Sequence, residues 1–225
     1  MVISHVVGGL GNQMFQYAVA RELELARGLP MRLDVSSYDD YHLHHGFELK
    51  RVFCCQPEIA VSDDVRKILG WRAAPGMRRI LASPSLSALR GKSFIVEPYF
   101  QYWPGIREVP DKVYLQGYWQ SEKYFVDVTA VLRADFAFRE KLSAINAEWA
   151  ERISRCAAVS LHIRRGDYVS DSRTHAAHGV CSIDYYHAAV SHIADRVDSP
   201  VFFVFSDDIP WARANFDIDY PCHFI

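Results

Sequence analysis

Four polar residues crowd the end of one apolar run: His162, Arg164, Arg165 and Asp167, in the stretch VSLHIRRGDY at Val159–Tyr168. A guanidinium offers a planar fork of N–H donors that matches a phosphate or a carboxylate. In an α/β protein, ligands sit outside the carboxyl ends of the strands. Two arginines at that place point to an anion site. Residues two apart on a strand share a face, so His162 and Arg164 are expected to point the same way. Arg165 points the other way unless the turn at Gly166 rotates it. Arg164 is the expected anion contact, with Arg165 supporting it from a pair with Asp167. The plain structural alternative for all four is a surface salt-bridge cluster.

Three further groups share such positions. Ser206-Asp207-Asp208 follows the apolar run Val201–Phe205, with Pro210 just inside the next helix. Serine or aspartate before an early proline is a common helix start; in a ligand site, the same carboxylates accept hydrogen bonds from a guanine ring edge. Gly8-Gly9-Leu10-Gly11 leads into a helix whose unpaired N–H groups favour an anion, or is simply a tight turn. A dinucleotide fingerprint would begin at Gly9 and Gly11 and use Asp34 for a ribose, but Met14 stands where its third glycine belongs. YLQGYWQSEKYF at Tyr114–Phe125 gathers aromatic and polar side chains at another strand-to-helix junction. It reads either as core packing or as a sugar platform using Trp119, Gln120 and Tyr124. His42, His44 and His45 lack the spacing of a zinc-binding helix and read as a polar loop. Asp217 and Asp219 read as a chance acidic pair.

The elements that would position these residues form a β-turn-α-β opening: a strand at Val2–Val7, a helix over Asn12–Arg27 stopped by Gly28 and Pro30, and a strand at Met31–Val35. This is the usual start of a Rossmann-like sheet. Beyond an irregular Ser36–Gly91, with a short helix at Asp63–Trp71, the pattern predicts strands at Ser93–Val96 and Lys112–Leu115 and helices at Ser121–Arg133 and Glu140–Ile153. Cys156–Ile163 reads as a strand buried on both faces, followed by a helix at Ser182–Val197, a strand at Val201–Phe205 and a short helix at Pro210–Phe216. The expected organisation is two α/β, Rossmann-like domains, residues 1–152 and 153–225, the second short for its type.

The 225 residues carry 25 basic and 27 acidic side chains and a formal net charge of −2, which argues against a general nucleic-acid binder. No apolar run approaches the roughly 20 residues a membrane span needs. The start reads as a buried strand rather than a signal peptide. Five cysteines without a C-x-x-C spacing fit a reducing cytoplasm better than a disulfide framework.

Taken together, the motifs resemble family 11 glycosyltransferases, the α-1,2-fucosyltransferases in their bacterial form. GGLGNQMFQYA at Gly8–Ala18 resembles the N-terminal motif, LHIRRGDYV at Leu161–Val169 the donor motif shared with α-1,6- and protein O-fucosyltransferases, and YLQGYWQSEKYF and FFVFSDDIPW two further segments. The resemblance implies a two-domain fold of the metal-independent (GT-B) type, with no cofactor. It implies inverting transfer of L-fucose from GDP-fucose to a galactose 2-hydroxyl of a glycan acceptor. By carry-over, Arg164 contacts the β-phosphate, His162 and Arg165 support it, and Asp207 or Asp208 reads the guanine, beside Ser206. Asn12 and the Gly9–Gly11 turn line the cleft near the diphosphate, Trp119, Gln120 and Tyr124 stand on the acceptor side, and Asp167 is the candidate base. A cytoplasmic location is expected, with peripheral membrane association through a lipid-linked acceptor. Family members continue with a serine- and tryptophan-containing segment that does not follow Ile225, so the second domain is read as cut short. The rival readings are a nicotinamide-dependent oxidoreductase built on Gly9, Gly11 and Asp34, a non-catalytic GDP- or glycan-binding module, and an unstable donor-domain fragment.

Overall fold

The computed structural model describes every residue except 40–44, 173, 174, 177 and 178, and leaves the Asp167 side chain undescribed. His42 and His44 therefore lie outside the described residues, while His45 is exposed. The chain divides into two compact units, Met1–Lys141 and Leu142–Ile225. The division falls before the helix Ala144–Ser154, whereas the sequence reading placed the boundary between residues 152 and 153, inside that helix. That helix packs on the second unit, with Trp149 edge-on to Phe203 at 6.4 Å between ring centroids.

The first unit is built on a five-stranded sheet: β1 Val2–His5, β2 Met31–Asp34, β3 Glu58–Ile59, β4 Phe94–Val96 and β5 Val113–Gln116, in the order β3-β2-β1-β5-β4 and parallel throughout. The β1 and β5 core positions Val2, Ile3, Val113, Tyr114 and Leu115 are 0 % exposed, as expected when both faces are covered. Helix α1, Leu10–Arg27, covers one face and ends at Gly28 in the left-handed region. The order in which strands are added across the sheet reverses at β1, whose two neighbours are β2 and β5. That places a topological switch point at the carboxyl ends of β1 and β5.

Some predicted elements differ. The irregular segment holds short helices at Leu49–Val52 and Pro75–Leu81 as well as β3, all too short to leave a periodic signal. The helix expected over Ser121–Arg133 is broken into single turns at Glu122–Tyr124 and Val126–Val128 before a helix at Thr129–Asp135. Phe125, at φ −144°, interrupts it, while the Tyr124 hydroxyl accepts a hydrogen bond from the Trp103 backbone N–H at 2.9 Å.

The second unit holds a three-stranded parallel sheet, β6 Ala157–Ile163, β7 Pro200–Ser206 and β8 Cys222–Phe224, in that order. β7 is central and supplies Phe202, Phe203 and Val204 to the core. β6 is an edge strand, and its burial alternates: Leu161 and Ile163 are buried, Ser160 and His162 exposed. The expectation of a strand buried on both faces is thus corrected; its small residues had hidden the alternation. Helix Ile183–Ala194 packs Tyr186 and Val190 against this sheet.

Candidate functional site

In the second unit, the carboxyl ends of β6 and β7 lie side by side, with Ile163 opposite Ser206. The sequence-predicted residues meet here. Arg164 Nη1 lies 2.9 Å from Asp207 Oδ2. The Arg165 backbone N–H donates to Asp207 Oδ1 at 2.8 Å. One carboxylate therefore holds both the guanidinium and the backbone of the turn. Gly166 makes room for it: a Cβ there would lie 2.6 Å from Asp207 Oδ2. The Ser206 hydroxyl ties the two strand ends, donating to the Ile163 carbonyl at 2.7 Å and accepting the Asp208 N–H at 3.0 Å. Asp208 caps the helix Ile209–Asn215 by accepting the Trp211 N–H at 3.1 Å, so capping and site-building are shared between the two aspartates.

The expected pair with Asp167 falls outside what is described, and Arg165 is seen with other partners. Its guanidinium lies over the Trp211 ring at 3.5 Å from the centroid, and its Nε is 3.7 Å from Asp208 Oδ2. Stacking of this kind holds the planar cation in one orientation. Arg164 lies 5.4 Å from the centroid of the Tyr168 ring and is about two-fifths exposed (41 %). His162 is exposed on β6. The Asp167 side chain lies outside what is described. Asp217 and Asp219 are exposed. Among the described residues no group of three or more His, Cys, Asp or Glu side chains is gathered as a metal site.

In the first unit, the turn between β1 and α1 is held by two amides that sequence reasoning passed over. Gln13 is fully buried; its Nε2 donates to the Gly8 and Gly46 carbonyls at 3.1 and 2.8 Å, and its Oε1 accepts the Glu48 N–H at 2.9 Å. Gln16, also buried, accepts the Val7 N–H at 3.0 Å and donates to the Gly117 carbonyl at 3.0 Å, joining the ends of β1 and β5. The signal was present: two glutamines on the buried face of an amphipathic helix must find partners there. Gly9 is the N-cap residue of α1, and Gly11 is exposed at its start. Asn12 Oδ1 accepts a hydrogen bond from Gln120 Nε2 at 2.7 Å, uniting two predicted site residues.

Two predictions meet a different environment. Trp119 is 0 % and Tyr124 3 % exposed, packed edge-on at 5.5 Å between centroids, so the core-packing reading of these aromatics describes them and they offer no open sugar platform. Asp34 is 2 % exposed. It accepts hydrogen bonds from Tyr114 Oη at 2.6 Å, the Ser36 N–H at 3.0 Å and the Arg78 guanidinium. Burial pushes its carboxyl upward, but the Tyr114 and Ser36 hydrogen bonds and the Arg78 charge outweigh this and leave it below the ordinary value. A carboxylate so enclosed has no face for a ribose, which removes the ribose-binding acid on which the oxidoreductase reading relied.

Comparison with known proteins agrees with this arrangement. Residues 103–224 match the family model "Glycosyl transferase family 11". An alpha-1,2-colitosyltransferase of Escherichia coli is 34% identical over 226 residues, covering 95% of this chain and 71% of the relative. The O-antigen biosynthesis glycosyltransferase WbnK of Escherichia coli is 30% identical, covering 93% and 73%. Among solved structures, the fucosyltransferase NodZ from Bradyrhizobium superposes over 100% of this chain and 77% of its own with a TM-score of 0.55 at 13% identity. The NodZ alpha-1,6-fucosyltransferase soaked with GDP-fucose gives 0.51 at 14% identity, over 100% and 76%. At such identities these likenesses speak for the fold: mixed α/β with parallel sheets. The family match over more than half of the chain, and relatives at 30% identity or above across most of it, establish that the chain belongs to glycosyl transferase family 11.

Proposed function

We propose that the protein transfers L-fucose from GDP-fucose to the 2-hydroxyl of a galactose in a glycan acceptor, with inversion at the anomeric carbon, without a metal or cofactor, and on a two-domain GT-B frame. The observation that carries this reading is the Arg164–Asp207 pair at the joined ends of β6 and β7, in a chain of family 11. As the bond from fucose to GDP breaks, negative charge builds on the diphosphate. A guanidinium already aimed at that charge stabilises the transition state without reorganising, an effect worth about 3–4 kcal/mol by analogy with the loss of one oxyanion-hole donor. In this account Arg164 contacts the β-phosphate, the stacked Arg165 and His162 support it, and Asp207 or Asp208 accepts from the guanine edge. Asn12 and the Gly9–Gly11 turn border the diphosphate, and Asp167 takes the proton of the acceptor hydroxyl. That the NodZ fold is known both soaked with GDP-fucose and co-crystallised with GDP supports the choice of nucleotide.

A second donor is favoured by one specific observation. The 34%-identical relative is a colitosyltransferase, so a nucleotide-linked colitose is the competing sugar on the same site. Incubating the protein with GDP-fucose and lactose in EDTA, and reading the product linkage by NMR, separates these outcomes. The account predicts a fucosyl-α-1,2-galactose product, undiminished by EDTA. Transfer from the colitose donor alone would replace fucose in the reading, and dependence on a divalent cation would refute the metal-free mechanism.

A further inference from the structure

The carboxyl ends of β1, β4 and β5 enclose a cavity of about 380 Å³ in the first unit, lined by His5, Val96, Glu97, Tyr99, Phe100 and Tyr118 among others. It lies at the topological switch point, where open parallel sheets place their ligands, and its volume lies in the usual range of small-molecule sites. The aromatic segment Tyr114–Phe125 flagged in the sequence contributes Gln116, Gly117 and Tyr118 to its wall.

Its polar group is held in advance. The Glu97 backbone N–H makes the last rung between β4 and β5, donating to the Gln116 carbonyl at 2.9 Å. Its carboxylate then accepts the backbone N–H groups of Tyr118 and Trp119 at 2.7 and 3.0 Å. Gly117 permits this approach, since a Cβ there would lie 2.4 Å from Glu97 Cβ. Trp119 takes a left-handed backbone, φ 56°, to bring its N–H round. A non-glycine residue in that region is a cost the surrounding structure must offset, and such costs gather at functional sites. A carboxylate with each oxygen engaged once retains lone pairs for further donors.

The apolar part of the cavity is aromatic and open. Phe100 and Tyr118 lie nearly parallel, 23° between planes and 6.4 Å between centroids, with Phe100 71 % and Tyr118 38 % exposed; Tyr99 beside them is 48 % exposed. Solvent-facing aromatic side chains next to a fixed hydrogen-bond acceptor suit a ligand with one C–H face and a rim of hydroxyl donors. A pyranose has that surface. The carboxylate opposes an anionic sugar, and His5, whose Nε2 pairs with Ser37 Oγ at 2.7 Å, is held towards its neutral form mainly by burial.

We propose that this cavity binds a neutral hexopyranoside of the glycan acceptor, with Phe100 and Tyr118 as the stacking surface and Glu97 accepting sugar hydroxyls. The assignment rests on the glycosyltransferase reading above and moves the acceptor contacts from Trp119 and Tyr124 to Phe100, Tyr118 and Glu97. The test uses saturation-transfer NMR on the full chain with lactose and methyl β-galactoside, in the presence of GDP, with GDP affinity measured in parallel. Wild-type protein should saturate the galactose ring protons. Phe100→Ala and Tyr118→Ala should each weaken lactose binding about tenfold and leave GDP affinity unchanged. Phe100 is so exposed that its loss does not threaten the fold. Lactose binding that is absent in the wild type, or unaltered in both aromatic variants while GDP still binds, overturns the proposal and leaves the donor reading standing. Failure of the wild type to bind GDP defeats the donor reading itself.

Discussion

At the residue scale, two carboxylates organise their surroundings at different depths. Asp34 is enclosed by Arg78 and Tyr114; Asp207, a quarter exposed, holds the Arg164 guanidinium and the Arg165 backbone N–H. The buried network has a pH signature. Asp34 titrates below its ordinary 3.8 in the folded protein, so on acidification the unfolded state takes the proton first. Its stabilisation is complete above 3.8 and is lost as pH falls through the lower folded value. His5, stacked on Tyr114 at 6.2 Å, is lowered from 6.5 chiefly by burial, with Asp34 opposing and Arg78 adding to the shift. The unfolded state therefore protonates first here as well, and stability declines as pH falls below 6.5. Melting temperatures followed from pH 8 to 3 should fall in two stages, and His5→Gln should flatten the upper stage relative to wild type. An upper stage unchanged in that variant would contradict the role given to His5.

At the element scale, the site is a matter of strand ends. Parallel strands put every carboxyl end on one side of their sheet, and the polar residues just past β6 and β7 are brought together by register alone. That is why His162–Arg165 and Ser206–Asp208 could be located from sequence: an apolar run that stops in charged residues marks the place without further information. Partners were less legible. Which aspartate takes which arginine depends on backbone turns, and the stacking of Arg165 on Trp211, 46 positions away by sequence number, leaves no local signal. In the aromatic segment at Tyr114–Phe125, Trp119 with its left-handed backbone is buried while its neighbour Tyr118 is exposed, a division that composition does not mark. The cavity beside it is made by Glu97 and Phe100, which no motif flags. Gln16 is the element-scale joint, bridging β1 and β5 from α1. Gln16→Leu leaves the Val7 N–H and the Gly117 carbonyl without that partner and should cost about 1–3 kcal/mol, read as a lowered denaturation midpoint. A variant as stable as wild type would show that the amide does not brace the sheet.

At the scale of the whole molecule, each compact unit has its own parallel sheet and its own core, one around Val2, Val19 and Leu115 and the other around Ile163, Phe202 and Val204. The sequence reading set a boundary between residues 152 and 153, while the compact units part before the helix Ala144–Ser154, because an amphipathic helix carries no mark of the sheet it will cover. Among the described residues no helix is long and apolar enough to cross a membrane. The first unit carries the cavity assigned to the acceptor, the second the arginines assigned to the donor, and family membership joins these assignments to glycosyl transfer. The central claim is that the second unit grips a guanosine diphosphate through Arg164. Isothermal titration of the full chain with GDP tests it most directly, comparing wild type with Arg164→Ala and checking both folds by circular dichroism. The account predicts saturable binding by the wild type, weakened about 10- to 100-fold in the variant. Equal GDP affinity in two folded proteins would contradict it.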